Sequence, residues 1–198
     1  MTLTKIDLSS SDKEFSGRSS YHEEKFSKVF KTLCFSMNPK KIIEFGVLDG
    51  YSLDCFLDST DEDCSIEAYD LFDDFPYNAA NFGSISEKYS DIPSERLKIA
   101  KGNIFDALDI IKKNDLDIIH VDVANDGDIY EFCINNLLPL LRDKGILILE
   151  GGSEERDNCE WMVKYNKPKI REVLRKHQDN LEIKVFSEFP SMTLIKYK

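Results

Sequence analysis

No run of 18 or more apolar residues occurs in the 198-residue chain, which excludes a helix of membrane-spanning length. The opening "MTLTKIDLSSSDKEF" lacks the apolar core of a signal peptide, so the expectation is a cytoplasmic protein without a membrane partner. The five cysteines (Cys34, Cys55, Cys64, Cys133, Cys159) are odd in number and contain no C-x-x-C pair, a pattern that fits neither a disulfide framework nor a zinc site. Positive charge is scarce: the formal net charge is −11, and no Lys or Arg lies between Ile42 and Glu87. A phosphate backbone needs a basic face, so nucleic acid is not an expected partner. The cations gather late, with nine Lys and Arg against four acids from Trp161 to Lys198. Repeats, low-complexity tracts and Pro/Gly linkers are also lacking, which leaves one stretch of chain long enough to close a single core.

What is present is a recurring run of β-branched and apolar residues. "KIIEF" (41–45), "SIEAYD" (65–70), "RLKIA" (96–100), "LDIIHVD" (116–122) and "GILILE" (145–150) read as strands, and the unbroken apolar character of the last three suits strands buried on both faces. Between them "YSLDCFLDS", "NIFDALDIIKK" and "IYEFCINNLLPLLR" have helical spacing. At the end "LEIKVFSEF" and "SMTLIKYK" are separated only by Pro190 and a short turn, too close to be parallel neighbours, and so form an antiparallel hairpin. The expected fold is α/β: one doubly wound, mostly parallel seven-stranded sheet closed by that hairpin. Ahead of it, 1–37 reads as an N-terminal helical or lid segment, with Phe26, Phe30 and Leu33 on one helix face, and 38–198 as the main domain.

In an open parallel sheet, ligands bind beyond the carboxyl ends of the strands. In "EFGVLDG", Gly46 and Gly50 let the chain turn sharply and approach a ligand, and Tyr51 and Ser52 open the next helix. Asp70 ends the second strand about 20 residues later, where a carboxylate can accept from both hydroxyls of a ribose. Asn103, in "GNIFDAL", is placed either to cap a helix or to meet an adenine edge, with Ile104 and Phe105 beside the ring.

The ordered set "EFGVLDG", "AYDLF", "GNIFDAL", "IIHVD", "LLRDKGILILE" and terminal hairpin resembles the class I S-adenosylmethionine-dependent methyltransferases. The resemblance implies a Rossmann-like methyltransferase fold with S-adenosylmethionine (SAM) as cofactor. Glu44, Phe45, Gly46, Gly50, Tyr51 and Ser52 would surround its methionine part, Asp70 and Leu71 its ribose, Asn103 and Ile104 its adenine, and Asp122 the sulfonium and acceptor. Within the class, "DIIHVD" followed by "LLRDKGILILEGG" looks like the macrocin O-methyltransferase group, whose members use a loop His as base and strand-end acids for magnesium. Here the loop reads "VANDGDIYE", with Asp126 and Asp128 and no His, and the fifth strand ends in Glu150 followed by Gly151. Asp122 and Glu150 could still share one Mg²⁺, since that ion needs only one or two carboxylates plus substrate oxygens and water.

Two further segments carry polar chemistry. "GRSSYHEEK" offers Arg18, Tyr21 and His22 ahead of the first helix, and "GGSEERDNCEW" offers Arg156 just past the fifth strand. Arg18 and Arg156 could hold an anionic group bidentately, and the candidates for a base are Asp122, Asp126, Glu150 and His22. The expected activity is O-methylation of a small polar acceptor, anionic in one version, such as a sugar, a sugar nucleotide or a related natural-product intermediate; a homodimer is open. The alternative is a scaffold or regulatory protein that binds the cofactor without transferring its methyl group. Absence of the loop His favours that alternative, and the polar cluster at 150–157 speaks against it.

Overall fold

The structure is a computed structural model, and it describes residues 15–21, 24–76, 78–111 and 115–198. Its strands are β1 (Lys41–Phe45), β2 (Ser65–Asp70), β3 (Leu97–Lys101), β4 (Leu116–Val121), β5 (Leu141–Glu150), β6 (Leu181–Phe186) and β7 (Met192–Tyr197). Its helices are α1 (Glu24–Met37), α2 (Tyr51–Ser59), α3 (Phe82–Lys88), α4 (Ala107–Ile110), α5 (Gly127–Phe132), α6 (Glu154–Asp157), α7 (Glu160–Lys164) and α8 (Ile170–His177). The strands form one seven-stranded sheet in the order β3-β2-β1-β4-β5-β7-β6. The α/β fold with a mostly parallel sheet and a closing antiparallel pair is therefore as the sequence leads one to expect. The chain divides into two compact units, Met1–Asp109 and Ile110–Lys198.

In the first unit β1 pairs with β2 and β2 with β3, all parallel, in a register that sets Phe45 beside Tyr69 and Asp70 beside Lys101. The register brings the ends of β1 and β2 level, so their following loops can meet. Helix α1 packs on α2 through Phe26, Val29, Phe30, Leu33 and Cys34, each 1% exposed or less. That is the i, i+3, i+4, i+7 stripe of an amphipathic helix, and each large side chain buried on it is worth roughly 1.5–3 kcal/mol against exposure.

In the second unit β4 and β5 are parallel from Ile118↔Ile146 onward. β5 starts earlier than its apolar run suggests, at Leu141, because Leu116 pairs with Leu141 before the register slips; Lys144 takes up the slip at φ 68. The hairpin is antiparallel from Leu181↔Tyr197 to Phe186↔Met192, and β7 in turn pairs antiparallel with β5. The expected long helix at "NIFDALDIIKK" is instead a 3-10 turn (Ile104–Asp106) followed by the single turn of α4, with 112–114 outside the described residues. The third expected helix changes pitch twice, from α5 through a wide turn (Cys133–Leu137) to a 3-10 turn containing Pro139. Proline has no N–H to continue an α-helical ladder.

Candidate active site

In the first unit the loop after β1 is built from left-handed residues: Gly46 at φ 91, Leu48 at φ 48 and Gly50 at φ 86. Asp70, at the end of β2, holds this loop from beneath. Its Oδ2 accepts from the amides of Val47 (2.7 Å) and Leu48 (3.4 Å), while Oδ1 accepts from the Phe72 amide (2.9 Å) and from Asn78 Nδ2 (2.5 Å). Leu71 links Asp70 to the 3-10 turn Phe72–Asp74. Glu44 is fully buried and accepts a short hydrogen bond from the Ser52 hydroxyl at the start of α2. Phe45, beneath the loop, stacks on Tyr69 with ring centroids 5.7 Å apart.

Gly50 lacks a side chain for a reason other than the approach of a ligand. A Cβ there would meet the Tyr89 hydroxyl at 2.1 Å; that hydroxyl donates to Asp54 Oδ1 at 2.7 Å and lies 3.1 Å from the Gly50 carbonyl oxygen. Burial, reinforced by the Asp54 carboxylate, pushes the Tyr89 phenol well above its ordinary pKa, so it remains a donor. Lys88 beside it donates to the Asp49 carbonyl and to Asp54 Oδ2, both at 2.9 Å. The far end of α3 thus clamps the loop, and no local pattern in "EKYSDIP" signals it.

The segment ahead of α1 straps down over the same loop. Arg18 forks onto Asp49, with Nε–Oδ2 at 2.9 Å and Nη2–Oδ1 at 2.7 Å, and donates also to the Ala79 carbonyl at 3.0 Å. Those bonds hold the Asp49 carboxyl below the usual carboxylate range. Phe15 stands edge-on to Tyr51 at 5.2 Å, and Tyr21 is 1% exposed among Phe26, Phe30 and Tyr51. Tyr21 is therefore a core side chain rather than an exposed acceptor contact, and Arg18 meets a carboxylate of the protein itself. His22 lies outside the described residues. Asn103 is a cap, accepting from the Phe105 amide at 3.1 Å; Ile104 is buried while Phe105 is exposed.

The second unit holds the remaining candidates. Asp122 is half-buried immediately after β4. Glu150 and Arg156, 3% and 5% exposed, form a buried fork: Nε–Oε1 at 2.7 Å and Nη2–Oε2 at 3.0 Å. Arg156 also donates to the Asn125 carbonyl (2.9 Å) and to Cys159 Sγ (3.4 Å), and it lies over the Trp161 ring. Burial pushes the Glu150 carboxyl up to about 7; Arg156 opposes that rise and the nearby Asp122 charge adds to it. Asn125, 0% exposed, donates to the carbonyls of Val121 (3.0 Å) and Glu150 (2.9 Å), and the Tyr130 hydroxyl donates to the Glu150 carbonyl at 3.0 Å. Asn125 thereby pins the ends of β4 and β5 together, and Tyr130 ties the end of β5 to Thr193 of β7; neither residue carries a motif.

Asp126 caps α5 by accepting from the Ile129 amide at 3.1 Å and pairs with Lys167 at 2.9 Å. Asp157 caps α8 through the amides of Ile170 (2.8 Å) and Arg171 (3.1 Å). In the polar cluster at 150–157, Glu150 pairs with Arg156 and Glu154 with Arg171, while Ser153 and Asp157 cap helices, so the cluster no longer argues for chemistry.

A family profile described as "Methyltransferase domain" matches residues 43–150, which is more than half of the chain and contains the loop, Asp70, Asp122 and Glu150. The chain belongs to this methyltransferase family. No curated protein matches it. Among solved structures, the methyltransferase is similar to the SAH-bound methyltransferase of Podospora anserina, at 17% identity and TM-score 0.65 over 89% of this chain and 79% of that one. It is similar also to the O-methyltransferase of Bacillus cereus in complex with SAH, at 14% identity and TM-score 0.66 over 93% and 84%. A third likeness is to TomG of Streptomyces achromogenes, an O-methyltransferase involved in tomaymycin synthesis and solved with SAM, at 16% identity and TM-score 0.63 over 89% and 81%. These likenesses establish the fold.

The magnesium expectation fails on the donor set of the methyltransferase. Both carboxylate oxygens of Glu150 are taken by the guanidinium of Arg156, a cation already seated where a second would have to bind. Among the described residues no group of three or more His, Cys, Asp or Glu is arranged to hold a metal. Likewise among the described residues, no helix is long and apolar enough to cross a membrane.

Proposed function

We propose that this methyltransferase is SAM-dependent and O-methylates a small polar acceptor, with a sugar, sugar nucleotide or related natural-product intermediate as the substrate class. The observation that carries the cofactor reading is the left-handed loop 46–50 hung by two amides from the Asp70 carboxylate. Such a loop presents backbone at the mouth of a strand end, and the acid beside it is of the kind that receives a ribose. The SAM or SAH bound in these structural relatives supports it, and two of them are O-methyltransferases. The resemblance to the macrocin group carries the acceptor class, and the five free thiols fit a reducing, cytoplasmic setting.

The sulfonium supplies a methyl group that is already reactive, so the protein's contribution is to align the acceptor, exclude water and take up a proton. In this reading Glu44 and Ser52 fix the start of α2 beneath the methionine part, Asp70 receives the ribose, and Asp122 takes the acceptor's proton. Asp126 and Glu150 have structural engagements instead.

That engagement favours a second reading, a protein that binds the cofactor without transferring its methyl group. Calorimetric titration with SAM and SAH, on wild type and Asp70→Ala, tests the first step: binding by wild type is expected, and absence of binding by both compounds overturns the cofactor reading. Methylation of any component of a metabolite extract then decides for the enzyme, whereas binding with no methylated product decides for the second reading.

A further inference from the structure

Asp70 has no acceptor capacity to spare. A carboxylate offers about four lone-pair positions, and Asp70 fills them with the amides of Val47, Leu48 and Phe72 and with Asn78 Nδ2. A ribose diol that docks on this carboxylate must displace donors already there. Val47 and Phe72 are main-chain donors at 2.7 and 2.9 Å, and neither can leave without remaking the loop or the turn that it belongs to. The Leu48 amide, at 3.4 Å, is a weak contact that yields easily. Asn78 is the one side chain in the set, and a side chain can leave by a rotamer change.

The geometry points to Asn78 as a built-in competitor for the cofactor: its amide occupies the place of a ribose hydroxyl on Asp70 and swings away when the cofactor binds, so that Asn78 sets the affinity. This rests on the cofactor reading above. Asn78 is half-buried rather than sealed in, and its own turn is organised to keep the amide on Asp70: Oδ1 accepts from the Ala80 amide at 3.1 Å, and the Asn78 amide donates to the Phe75 carbonyl at 2.9 Å. The next residue, Ala79, gives its carbonyl to Arg18.

The test is a titration of SAH into wild type, Asn78→Ala and Asn78→Ser; the serine keeps an acceptor for the Ala80 amide but cannot reach Asp70. When a competing contact closes most of the population, its removal raises the competent fraction, and both variants are expected to bind SAH about three- to tenfold more tightly. The 2′,3′-dideoxy analogue of SAH, which makes no claim on Asp70, is expected to bind all three proteins alike. In wild type, the side-chain amide NMR resonances of Asn78 are expected to move to solvent-like positions at saturating SAH. Equal or weaker SAH binding by the variants, or Asn78 resonances unmoved by SAH, overturns the competitor role and leaves the cofactor reading intact. Failure of wild type itself to bind SAH overturns that reading, and the competitor role with it.

Discussion

At the scale of single residues, Gly50 and Arg156 show how little a residue's type says about its task. Gly50 is a glycine because of its φ of 86 and because the Tyr89 hydroxyl fills the space of its missing Cβ. Gly50→Ala should cost about 2–4 kcal/mol in urea unfolding, the sum of left-handed strain and overpacking. Adding Tyr89→Phe should recover part of the overpacking share, since the ring carbons stay at 3.0 and 3.2 Å, and leave the backbone strain of about 1 kcal/mol in place; no recovery would show that the hydroxyl is not what the Cβ meets. Arg156 looks from its neighbours like an anion-binding residue, yet its fork closes on Glu150. Arg156→Met leaves a buried carboxylate alone and should cost about 3–5 kcal/mol at pH 8. Much of that loss should return at pH 5, where Glu150 can be protonated, and a loss equal at both pH values would place the damage in packing.

At the scale of elements, short pieces are held by side chains from outside themselves. Helix α8 begins on Asp157, which satisfies two of its first amides; Asp157→Ala should cost about 0.5–2 kcal/mol, a cap's usual worth, measured as a shift in unfolding midpoint. The strap 15–21 is tied to the loop after β1 and to Ala79 through Arg18. Arg18→Ala should speed chymotryptic cleavage after Phe15 and Tyr21 while the global unfolding midpoint stays put, because exposed ion pairs add little to global stability. Unchanged cleavage would mean that the aromatic contacts alone hold the strap. The strands were legible because β-branched runs are local signals, and α2 because its spacing is; α4 was not, since a capped 3-10 turn replaces the ladder that its apolar spacing suggests.

For the molecule as a whole, the pair Glu150–Arg156 gives stability a pH slope. Glu150 is raised from its ordinary 4.5 to about 7, so between those values the folded state binds more protons than the unfolded one, and stability falls as pH rises. Wild type should therefore lose melting temperature from pH 5 to pH 8, and Glu150→Gln should flatten that slope; an equal slope in both would assign it to other groups. The same pair bears on magnesium. A ligand bound to the native state alone raises stability by mass action, and with Glu150 occupied by Arg156 the melting temperature should not rise in millimolar Mg²⁺; a clear rise would reinstate Asp122 and Glu150 as ligands.

The succession of strands along the chain, the closing hairpin, the amphipathic face of α1 and the strand-end places of Glu44, Gly46, Asp70 and Asp122 were readable from the chain alone, because each is written in residues adjacent along it. What those residues face emerged with the fold. Tyr89 meets Gly50 across 39 positions, Arg156 closes on Glu150 from the next turn, and Asn78 completes the ring of donors around Asp70. Periodicity reports which way a side chain points within its own element, whereas the filling of a lone pair or of a missing Cβ depends on whatever other segment the fold brings alongside.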